Sequence, residues 1–288
     1  FAYFELQVFF SLTTKDYLSK ILLFLKLLKV YMNNIIIHSK FSSYSTAISK
    51  AISDFETSGI TVLKGDRNTI KSLKIEGLHL NIKQFKTPNV FNSFVYKYIR
   101  KSKARRSYEY GNLLTQKSIL TPTPIAYFEA SSWFGLKQSY YVSQHVAYDF
   151  DFRVLIHDLK FPNRVEILKQ FTAFTFKLHE ENVNFLDHSP GNTLIVKTDV
   201  AQYDFYLIDL NRMRFEAMNF KKRMHNFRRL WLSKAMIQIM SKEYAVLSET
   251  PLTEIQSGML HYSRQFQKKI DTKKLKRSGR KMVFKSTD

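Results

Sequence analysis

The sequence predicts an α+β fold in two successive parts, and three observations predict it. Strand-like apolar runs separated by polar turns dominate up to about residue 145. Apolar stripes at helical spacing dominate afterwards, at residues 164–181 and 221–241. The 288 residues, 44% of them hydrophobic, can bury a sizeable core. We therefore expect an antiparallel sheet with a helix in residues 32–145, and a mostly helical region in residues 146–262.

The first part opens with a short strand at Ile35–His38 and a helix from about Ser45 to Phe55. Three further runs with polar turns between them predict an antiparallel meander. An aromatic-rich connection at residues 87–100 and a basic helix at residues 101–118 follow. Two more strands and a hinge at residues 144–150 complete this part. The predicted strands of the meander and the last two strands are Ile60–Lys64, Ile70–Ile75, Leu78–Phe85, Ile125–Phe128 and Ser139–Val146.

The second part is built on two predicted helices. The helix at residues 164–181 is expected to bury Val165, Leu168, Phe171, Phe174 and Leu178, which share one face. The helix at residues 221–241 is expected to bury Phe227, Leu230, Trp231, Ala235 and Ile239.

A basic segment at residues 263–288 ends the chain, with Asp271 as its one interior acid. It is either a solvated run of charge or a polybasic surface for anionic lipid.

Residues 1–31 have two open interpretations. The segment Leu18–Tyr31 is apolar but carries three lysines, as an amphipathic helix at a membrane surface would. Since the first methionine is Met32, residues 1–31 are otherwise upstream sequence that the natural protein lacks.

Composition narrows the function classes. The formal net charge of +21 favours an anionic partner: nucleic acid, an anionic membrane surface or a phosphorylated substrate. The absence of cysteine excludes a disulfide framework and a thiolate metal site, and it fits a reducing compartment. No uninterrupted apolar run reaches the 18 or more residues of a transmembrane helix.

The stretch from Asp187 to Asp209 carries the chemistry. Asp187 and Asn192 stand five positions apart with Pro190 between them, and an apolar run, a polar turn and a second apolar run follow. This pattern predicts a loop and a β-hairpin that returns Asp209 to the side of Asn192. Three side chains that can bind a metal or a proton would then converge.

Phosphoryl transfer needs this set of side chains. A loop aspartate accepts the proton of the attacking hydroxyl, and an asparagine and a second aspartate hold Mg²⁺ on the nucleotide phosphates. Mg²⁺ keeps several waters, so a few protein oxygens suffice. The alternative is a surface loop in which Asp187, Pro190 and Asn192 only make turns.

Three further residues are candidates for contact with a nucleotide or for its support. Lys83 and Phe85 fall on one face of the third meander strand, and Lys83 is placed to reach phosphates, with Lys86 as the second choice. Glu109 on the basic helix is placed to orient Lys83, or else it forms a surface ion pair with Arg105. Gly65 is the single glycine of the turn that would cover the phosphates.

The two histidines near this loop receive different predictions. His179 is expected to be structural, and His188 either touches the substrate or faces solvent. After Asp209 the chain reads Leu210-Asn211-Arg212-Met213 and soon enters a helix. The segment with which protein kinases bind peptides is therefore missing or very short, which argues against a protein substrate.

With these residues in place, the sequence resembles the Kdo/WaaP-type lipopolysaccharide kinases, which have a protein-kinase-like, bilobal fold. The similarity covers about residues 55–240. The stretches that carry it are Ile82–Lys86, Ser102–Glu109, Thr121–Pro124, Phe185–Asn192 and Leu207–Arg212.

The resemblance implies a role for each candidate. Asp187 is the catalytic base, Asn192 and Asp209 bind Mg²⁺, Lys83 contacts the ATP phosphates and Glu109 holds Lys83.

It also implies the substrates and the place of reaction. The acceptor is the lipid-linked Kdo or heptose inner core of lipopolysaccharide, at the cytoplasmic face of the inner membrane. A basic, peripherally bound enzyme would be attracted to such an anionic surface, and no specific nucleic acid is expected.

Two departures from the family and three rival functions remain. Phe185 stands where family members often have a histidine, and the turn at Gly65 is poor in glycine. The rivals are another small-molecule kinase of the aminoglycoside or RIO type, a pseudokinase without turnover, and a basic nucleic-acid-binding module, whose binding would be salt-sensitive.

Overall fold

The computed structural model describes residues 32–285, and it describes side chains for residues 33–276. It contains helices together with antiparallel sheets, as the α+β prediction requires. The strands are β1 (Met32–Ile37), β2 (Ile60–Lys64), β3 (Asn68–Ile75), β4 (Leu78–Phe85), β5 (Pro124–Ser132), β6 (Gly135–Gln144), β7 (Phe150–Asp151), β8 (Val183–Phe185), β9 (Thr193–Asp199), β10 (Gln202–Leu207) and β11 (Met213–Phe215). The helices are α1 (Ser45–Ser53), α2 (Val90–Tyr98), α3 (Lys103–Gln116), α4 (Arg153–His157), α5 (Arg164–Glu180), α6 (Phe220–Asn226), α7 (Lys234–Ser248) and α8 (Leu252–Lys285).

The chain forms two compact units. Within the described residues, the first contains residues 32–108 together with Pro124–Gln144, and the second contains Glu109–Thr123 and residues 145–285. The helix α3 therefore begins in the first unit and ends in the second.

The first unit is organised by one six-stranded antiparallel sheet of order β1-β5-β6-β4-β3-β2. The predicted meander is confirmed, because β2 pairs with β3 and β3 pairs with β4 in antiparallel register. Alternating residues of the sheet bury one face against α1, which adds its own apolar face to the core. The buried residues of this core are Ile48, Ala51, Ile52, Phe55, Leu80, Ile82, Ile125, Ala126, Tyr140 and Val142.

Residues 87–100, predicted as an aromatic-rich connection, contain the helix α2, which was not predicted. Asn89 starts the helix as its N-cap: its side chain accepts a hydrogen bond from the backbone N–H of Asn92. Ser93 then packs directly under Gly135, where an added Cβ would lie 2.5 Å from the Ser93 backbone. This close approach holds α2 on β6.

The second unit is built around α5, whose buried side chains include Leu168, Phe171 and Leu178. Val165, which was predicted to be buried, is exposed. The core of this unit also takes residues from α4, the β9–β10 hairpin and α6 to α8. Its buried members are Phe152, Leu155, Ile167, Leu168, Phe171, Ile195, Phe205, Met224, Phe227, Leu230, Leu232, Met236, Ile237, Met240, Tyr244, Ile255 and Met259.

The helix predicted at residues 221–241 is two helices, α6 and α7. They are separated because Trp231 takes a left-handed backbone conformation (φ 57°) and Ser233 caps a new helix by accepting from the Met236 N–H. Trp231 and Ala235 are consequently exposed rather than buried, and Leu232 and Met236 take their places in the core.

The described part of the basic segment, residues 263–285, is the continuation of α8, which has 34 residues. Its first turns bury Ile255 and Met259 against the core of the second unit. Among the described residues, no helix is long and apolar enough to cross a membrane. The predictions for residues 1–31 lie outside the described part of the chain.

Candidate active site

The β9–β10 hairpin is present and brings Asn192 and Asp209 to the same end. The two strands pair in antiparallel register with Leu207 opposite Thr193. One residue further, the backbone N–H of Ile208 donates to the carbonyl of Asn192 over 3.0 Å. Asp209 is the next residue, so the predicted return of this aspartate to the side of Asn192 is confirmed.

Asp209 is held in an unusual backbone conformation. Its φ of 61° lies in the left-handed region, which non-glycine residues seldom adopt and which is concentrated at functional sites. The side-chain amide of Asn211 donates to Asp209 Oδ1 over 2.7 Å, and the buried side chain of Leu210 fixes the chain between them. The carboxylate of Asp209 therefore has a defined direction.

Asn192 closes the loop that begins at Asp187. Its Nδ2 donates to the carbonyl of Asp187 over 2.8 Å, across the short 3₁₀ turn Pro190–Asn192. Since the nitrogen side of this amide is used within the loop, its oxygen is the atom that can serve as a metal ligand.

The donor set of this loop fits Mg²⁺. Asn192 offers an amide oxygen and Asp209 a carboxylate, and both are hard ligands of the kind that Mg²⁺ takes alongside phosphate oxygens. In the part of the chain that the structure describes, no group of three or more His, Cys, Asp or Glu residues could hold a metal by itself. A metal here would depend on the phosphates of a nucleotide for further ligands, as in phosphoryl transfer.

The carboxylate of Asp187 is surrounded by arginines. Arg229 Nη2 lies 2.8 Å from Asp187 Oδ1, and Arg212 Nη1 lies 3.7 Å from Asp187 Oδ2. The side chain of Asp187 is 19% exposed, so its carboxylate remains partly accessible to solvent. Sequence analysis missed Arg229, which lies 42 residues after Asp187 in a run without a recognisable motif.

A buried polar cluster stabilises the loop that carries Asp187. Asn226, at the end of α6, donates from Nδ2 to the carbonyl of Phe185 over 3.0 Å, and its Oδ1 lies 2.8 Å from His188 Nδ1. His179 Nε2 lies 3.4 Å from the same oxygen, and His179 Nδ1 lies 2.8 Å from the Tyr244 hydroxyl. The prediction that His188 touches substrate or faces solvent is wrong, because its side chain is fully buried.

These contacts define which ring nitrogen carries the proton in each of the two imidazoles. The Asn226 oxygen can only accept, so His188 carries its proton on Nδ1, and His179 donates from Nε2 and accepts from Tyr244. Burial lowers the pKa of His188 to about 4 and that of His179 to about 3. Both are neutral near pH 7, which agrees with the predicted structural role of His179.

The first unit holds two of the other candidates. Lys83 lies on β4 opposite Ile70 of β3 and Tyr141 of β6. Its Nζ is 5.3 Å from the centroid of the Phe85 ring, which confirms that these two side chains share a face. Gly65 lies in the β2–β3 turn, where its N–H donates to the carbonyl of Asn68 over 3.0 Å.

The structure thus brings three of the six candidates together. Asp187, Asn192 and Asp209 form one site at the end of the β9–β10 hairpin, in the second unit. Lys83 and Gly65 lie in the first unit, and Glu109 lies on α3, where the second unit begins.

Comparison with known proteins adds to this geometry. The sequence profile of the lipopolysaccharide kinase (Kdo/WaaP) family matches residues 49–250, a span that includes all six candidates. The chain belongs to this family. A lipopolysaccharide kinase is a phosphotransferase that uses ATP, so the protein is an enzyme with an alcohol group as acceptor.

A solved structure described as WaaP in complex with acyl carrier protein has the same fold. The similarity has a TM-score of 0.59 at 17% sequence identity, and it covers 82% of this chain and 98% of the other. The kinase-like fold predicted from the sequence is therefore shown. No curated protein sequence matches the chain.

Proposed function

We propose that this Kdo/WaaP family member transfers the γ-phosphate of ATP, with Mg²⁺, to a sugar hydroxyl of the Kdo or heptose inner core of lipopolysaccharide. The observation that carries the proposal is the convergence of Asp187, Asn192 and Asp209 at one end of the β9–β10 hairpin. A base and two metal ligands are the parts that phosphoryl transfer requires of a protein.

Each residue has a distinct task in this reaction. The acceptor hydroxyl gives its proton to the carboxylate of Asp187 as its oxygen attacks the γ-phosphorus. Asn192 and Asp209 hold Mg²⁺, which offsets the charge that develops on the phosphate oxygens. Lys83 contacts the phosphates and Glu109 orients Lys83, while the backbone at Gly65 covers the nucleotide.

The proposal assigns these tasks to two lobes of a bilobal kinase. Residues 32–145 form the nucleotide-covering lobe, residues 146–262 form the lobe with the catalytic and metal loops, and residues 263–288 form a basic tail. The six-stranded sheet of the first unit and the largely helical core of the second support this division, except that Glu109–Thr123 belong to the second compact unit.

We place the reaction at the cytoplasmic face of the inner membrane, where the acceptor is anchored by its lipid. A surface of the first unit supports peripheral binding there; we call it the aromatic face. Its exposed apolar side chains come from α2, the residue after it and the β5–β6 turn: Val90, Phe91, Phe94, Tyr98, Ile99, Trp133 and Phe134.

Two contacts link parts of the aromatic face, and the sequence segment that carries most of it is basic. The rings of Phe94 and Tyr98 lie 4.7 Å apart, and the Tyr98 hydroxyl donates to the carbonyl of Trp133 over 2.9 Å. Residues 78–108 carry eight lysines and arginines and no acidic residue. Exposed aromatics beside cationic side chains are the combination that binds anionic membrane interfaces.

The deciding experiment is phosphate transfer from Mg-ATP to purified lipid A that bears Kdo or heptose. We expect transfer by the parent protein and none by folded Asp187→Ala and Asp209→Ala. Nucleotide binding without transfer to either sugar would reject the proposed acceptor and favour a different small-molecule kinase or a pseudokinase. Salt-sensitive binding to nucleic acid without nucleotide binding would replace the kinase assignment of this chain with a basic binding module.

A further inference from the structure

The catalytic carboxylate has more positive charge around it than it can neutralise. Arg229 pairs with one oxygen of Asp187 at 2.8 Å, and Arg212 faces the other at 3.7 Å. Arg228, next to Arg229 in the chain, is partly buried. Two guanidinium groups therefore contact the carboxylate of Asp187, and a third arginine adjoins them in the chain.

Arg228 is held in this position without a carboxylate of its own. Its Nη1 donates to the carbonyl of His225 over 2.7 Å and lies 2.9 Å from His225 Nδ1. Among the described residues, no acidic side chain lies within ion-pair distance of it. Burial and the neighbouring charge of Arg229 lower the pKa of Arg228, whereas Asp187 raises it. A bound anion would relieve this repulsion.

Arg229 is also incompletely satisfied. Its Nε is buried and has no hydrogen-bond acceptor in the described part of the chain. The guanidinium lies over the ring of Phe266, 5.6 Å from its centroid, and Phe266 in turn packs edge-on against Trp231. An aromatic surface orients the guanidinium plane while leaving its edge available for a planar or tetrahedral anion.

The ion pair with Arg229 also bears on catalysis. A general base must come within about 2.6–3.2 Å of the hydroxyl whose proton it takes. The 2.8 Å contact of Arg229 with Asp187 Oδ1 already occupies that range on one oxygen. An acceptor without a group that competes for Arg229 would meet a base whose charge is already paired.

We propose that Arg228 and Arg229 bind an anionic group of the acceptor, a carboxylate or a phosphate close to the reacting hydroxyl, and that this contact draws Arg229 away from Asp187. The inference rests on the proposed kinase function and names what the enzyme recognises in its acceptor. Guanidinium groups bind both anions through paired N–H donors, so the two share one chemistry.

The groups already named account for every bond that breaks or forms in the transfer. The acceptor O–H bond breaks and its proton passes to the freed carboxylate of Asp187. The acceptor oxygen forms the new bond to the γ-phosphorus of ATP. The bond from that phosphorus to the bridging oxygen breaks, and ADP leaves with the electron pair.

The test compares the parent with Arg229→Gln and Arg228→Gln on three acceptors. The first is lipid A bearing Kdo, the second is the same molecule with the Kdo carboxyls reduced to alcohols, and the third has the lipid A phosphates removed. For the parent, we expect loss of one kind of anion to raise the acceptor KM by about tenfold or more, which identifies that anion as the ligand. For the variants, the KM of the first acceptor should rise by a similar factor, and removal of that anion should then have little further effect.

Hydrolysis of ATP in the absence of acceptor gives a second readout. Because Arg229→Gln frees the base, we expect it to raise this basal hydrolysis several-fold, whereas Arg229→Lys keeps a charge and should stay near the parent. The matched control is Arg214→Gln, an exposed arginine on β11 outside the cluster, which should change neither quantity.

The outcomes separate this inference from the proposed function. If the parent transfers phosphate and its KM is the same for charged and neutral acceptors, the anion site is rejected. The proposed kinase function is then retained. If both arginine variants keep the parent KM and the parent basal hydrolysis, the proposed exchange is rejected. If Arg229→Gln fails to fold, the acceptor series on Arg228→Gln decides. Absence of any transfer by the parent to lipid A bearing either Kdo or heptose would reject the proposed acceptor itself.

Discussion

The Oδ1 of Asn226 lies 2.8 Å from His188 Nδ1, and this contact ties the end of α6 to the residue that follows the proposed catalytic base. The same amide donates to the carbonyl of Phe185, two residues before that base. One buried side chain therefore fixes the backbone on both sides of Asp187. A carboxylate that must meet a hydroxyl within a few tenths of an ångström depends on such support.

Replacement of Asn226 by Ala should lower both stability and turnover. It leaves the His188 and His179 donors and the Phe185 carbonyl without their partner, and each buried polar group left unpaired costs about 1–3 kcal/mol. We expect the free energy of unfolding to fall by about 3 kcal/mol and kcat to fall more than the acceptor KM changes. Urea unfolding and steady-state kinetics measure these effects.

The control for this variant is Asn219→Ala on the same helix. Asn219 caps α6 by accepting from the Lys222 N–H, so its loss should cost about 1 kcal/mol and leave kcat unchanged. Equal kinetic effects of the two substitutions would show that Asn226 does no more than stabilise the helix.

Acid should destabilise the protein through its two buried histidines. Their folded pKa values, about 3 for His179 and about 4 for His188, lie below the ordinary value of 6.5. The unfolded chain therefore binds more protons between these limits, and stability falls as the pH drops below about 6.5. Each histidine contributes a slope of up to about 1.4 kcal/mol per pH unit, which disappears below its folded pKa.

Denaturant unfolding at a series of pH values between 7.5 and 5 measures this slope. His188→Asn should flatten it, whereas substitution of the exposed His157 by Asn should leave it as in the parent. A parent slope unaffected by His188→Asn would mean that other groups cause the acid sensitivity.

Substitution of Asp209 by Asn should remove the charge of this side chain and preserve the backbone conformation. Asparagine tolerates the left-handed φ of this position and can still accept from Asn211, so folding should be preserved. Loss of the carboxylate should raise the Mg²⁺ concentration needed for half-maximal activity by about 10- to 100-fold or more. Titration of activity with Mg²⁺ measures the change.

Asn211→Ala is informative beside it, because it keeps the carboxylate and removes its donor. A smaller increase in the Mg²⁺ requirement is expected. An unchanged requirement in Asp209→Asn would contradict the assignment of Asp209 as a metal ligand.

The aromatic face should control binding to anionic vesicles. Phe91 and Trp133 are 75% and 70% exposed, and insertion of one such ring into a membrane contributes about 1.5–3 kcal/mol. We expect Phe91→Ser and Trp133→Ser each to weaken binding to phosphatidylglycerol vesicles by about tenfold or more. Sedimentation with vesicles measures this, and transfer to a soluble acceptor fragment should be unchanged.

Val246→Ser is the matched control, since Val246 is 77% exposed on α7 but stands outside the aromatic face. It should bind as the parent does. If all three variants bind equally well, the membrane contact lies elsewhere in the chain.

The hairpin and its three polar residues could be predicted from the sequence because they depend on local signals. Apolar runs, a polar turn and fixed spacings specify a hairpin without reference to the rest of the fold. The meander was predictable for the same reason. Residues 87–100 were interpreted as a connection because they are rich in aromatic residues. Asn89, a residue type that often caps helices, is the signal that could have indicated α2.

The support of the site could not be predicted in this way. Asn226 and Arg229 reach the proposed catalytic loop from nearly 40 residues away or more, and tertiary packing alone decides such contacts. The burial of His188 has the same origin. The exposure of Trp231 follows from a left-handed residue that no pattern in the sequence indicates.

The ring of Phe266 lies under Arg229, and this contact bears on how much of the chain the proposed active site requires. The family profile stops at residue 250, yet α8 supplies the surface on which the partner of Asp187 lies. A protein shortened to the matched region would retain Asp187, Asn192 and Asp209 but would lose that surface, together with Ile255 and Met259 of the core. The matched region therefore ends before the proposed active site does, because the last helix contributes to the surroundings of Asp187.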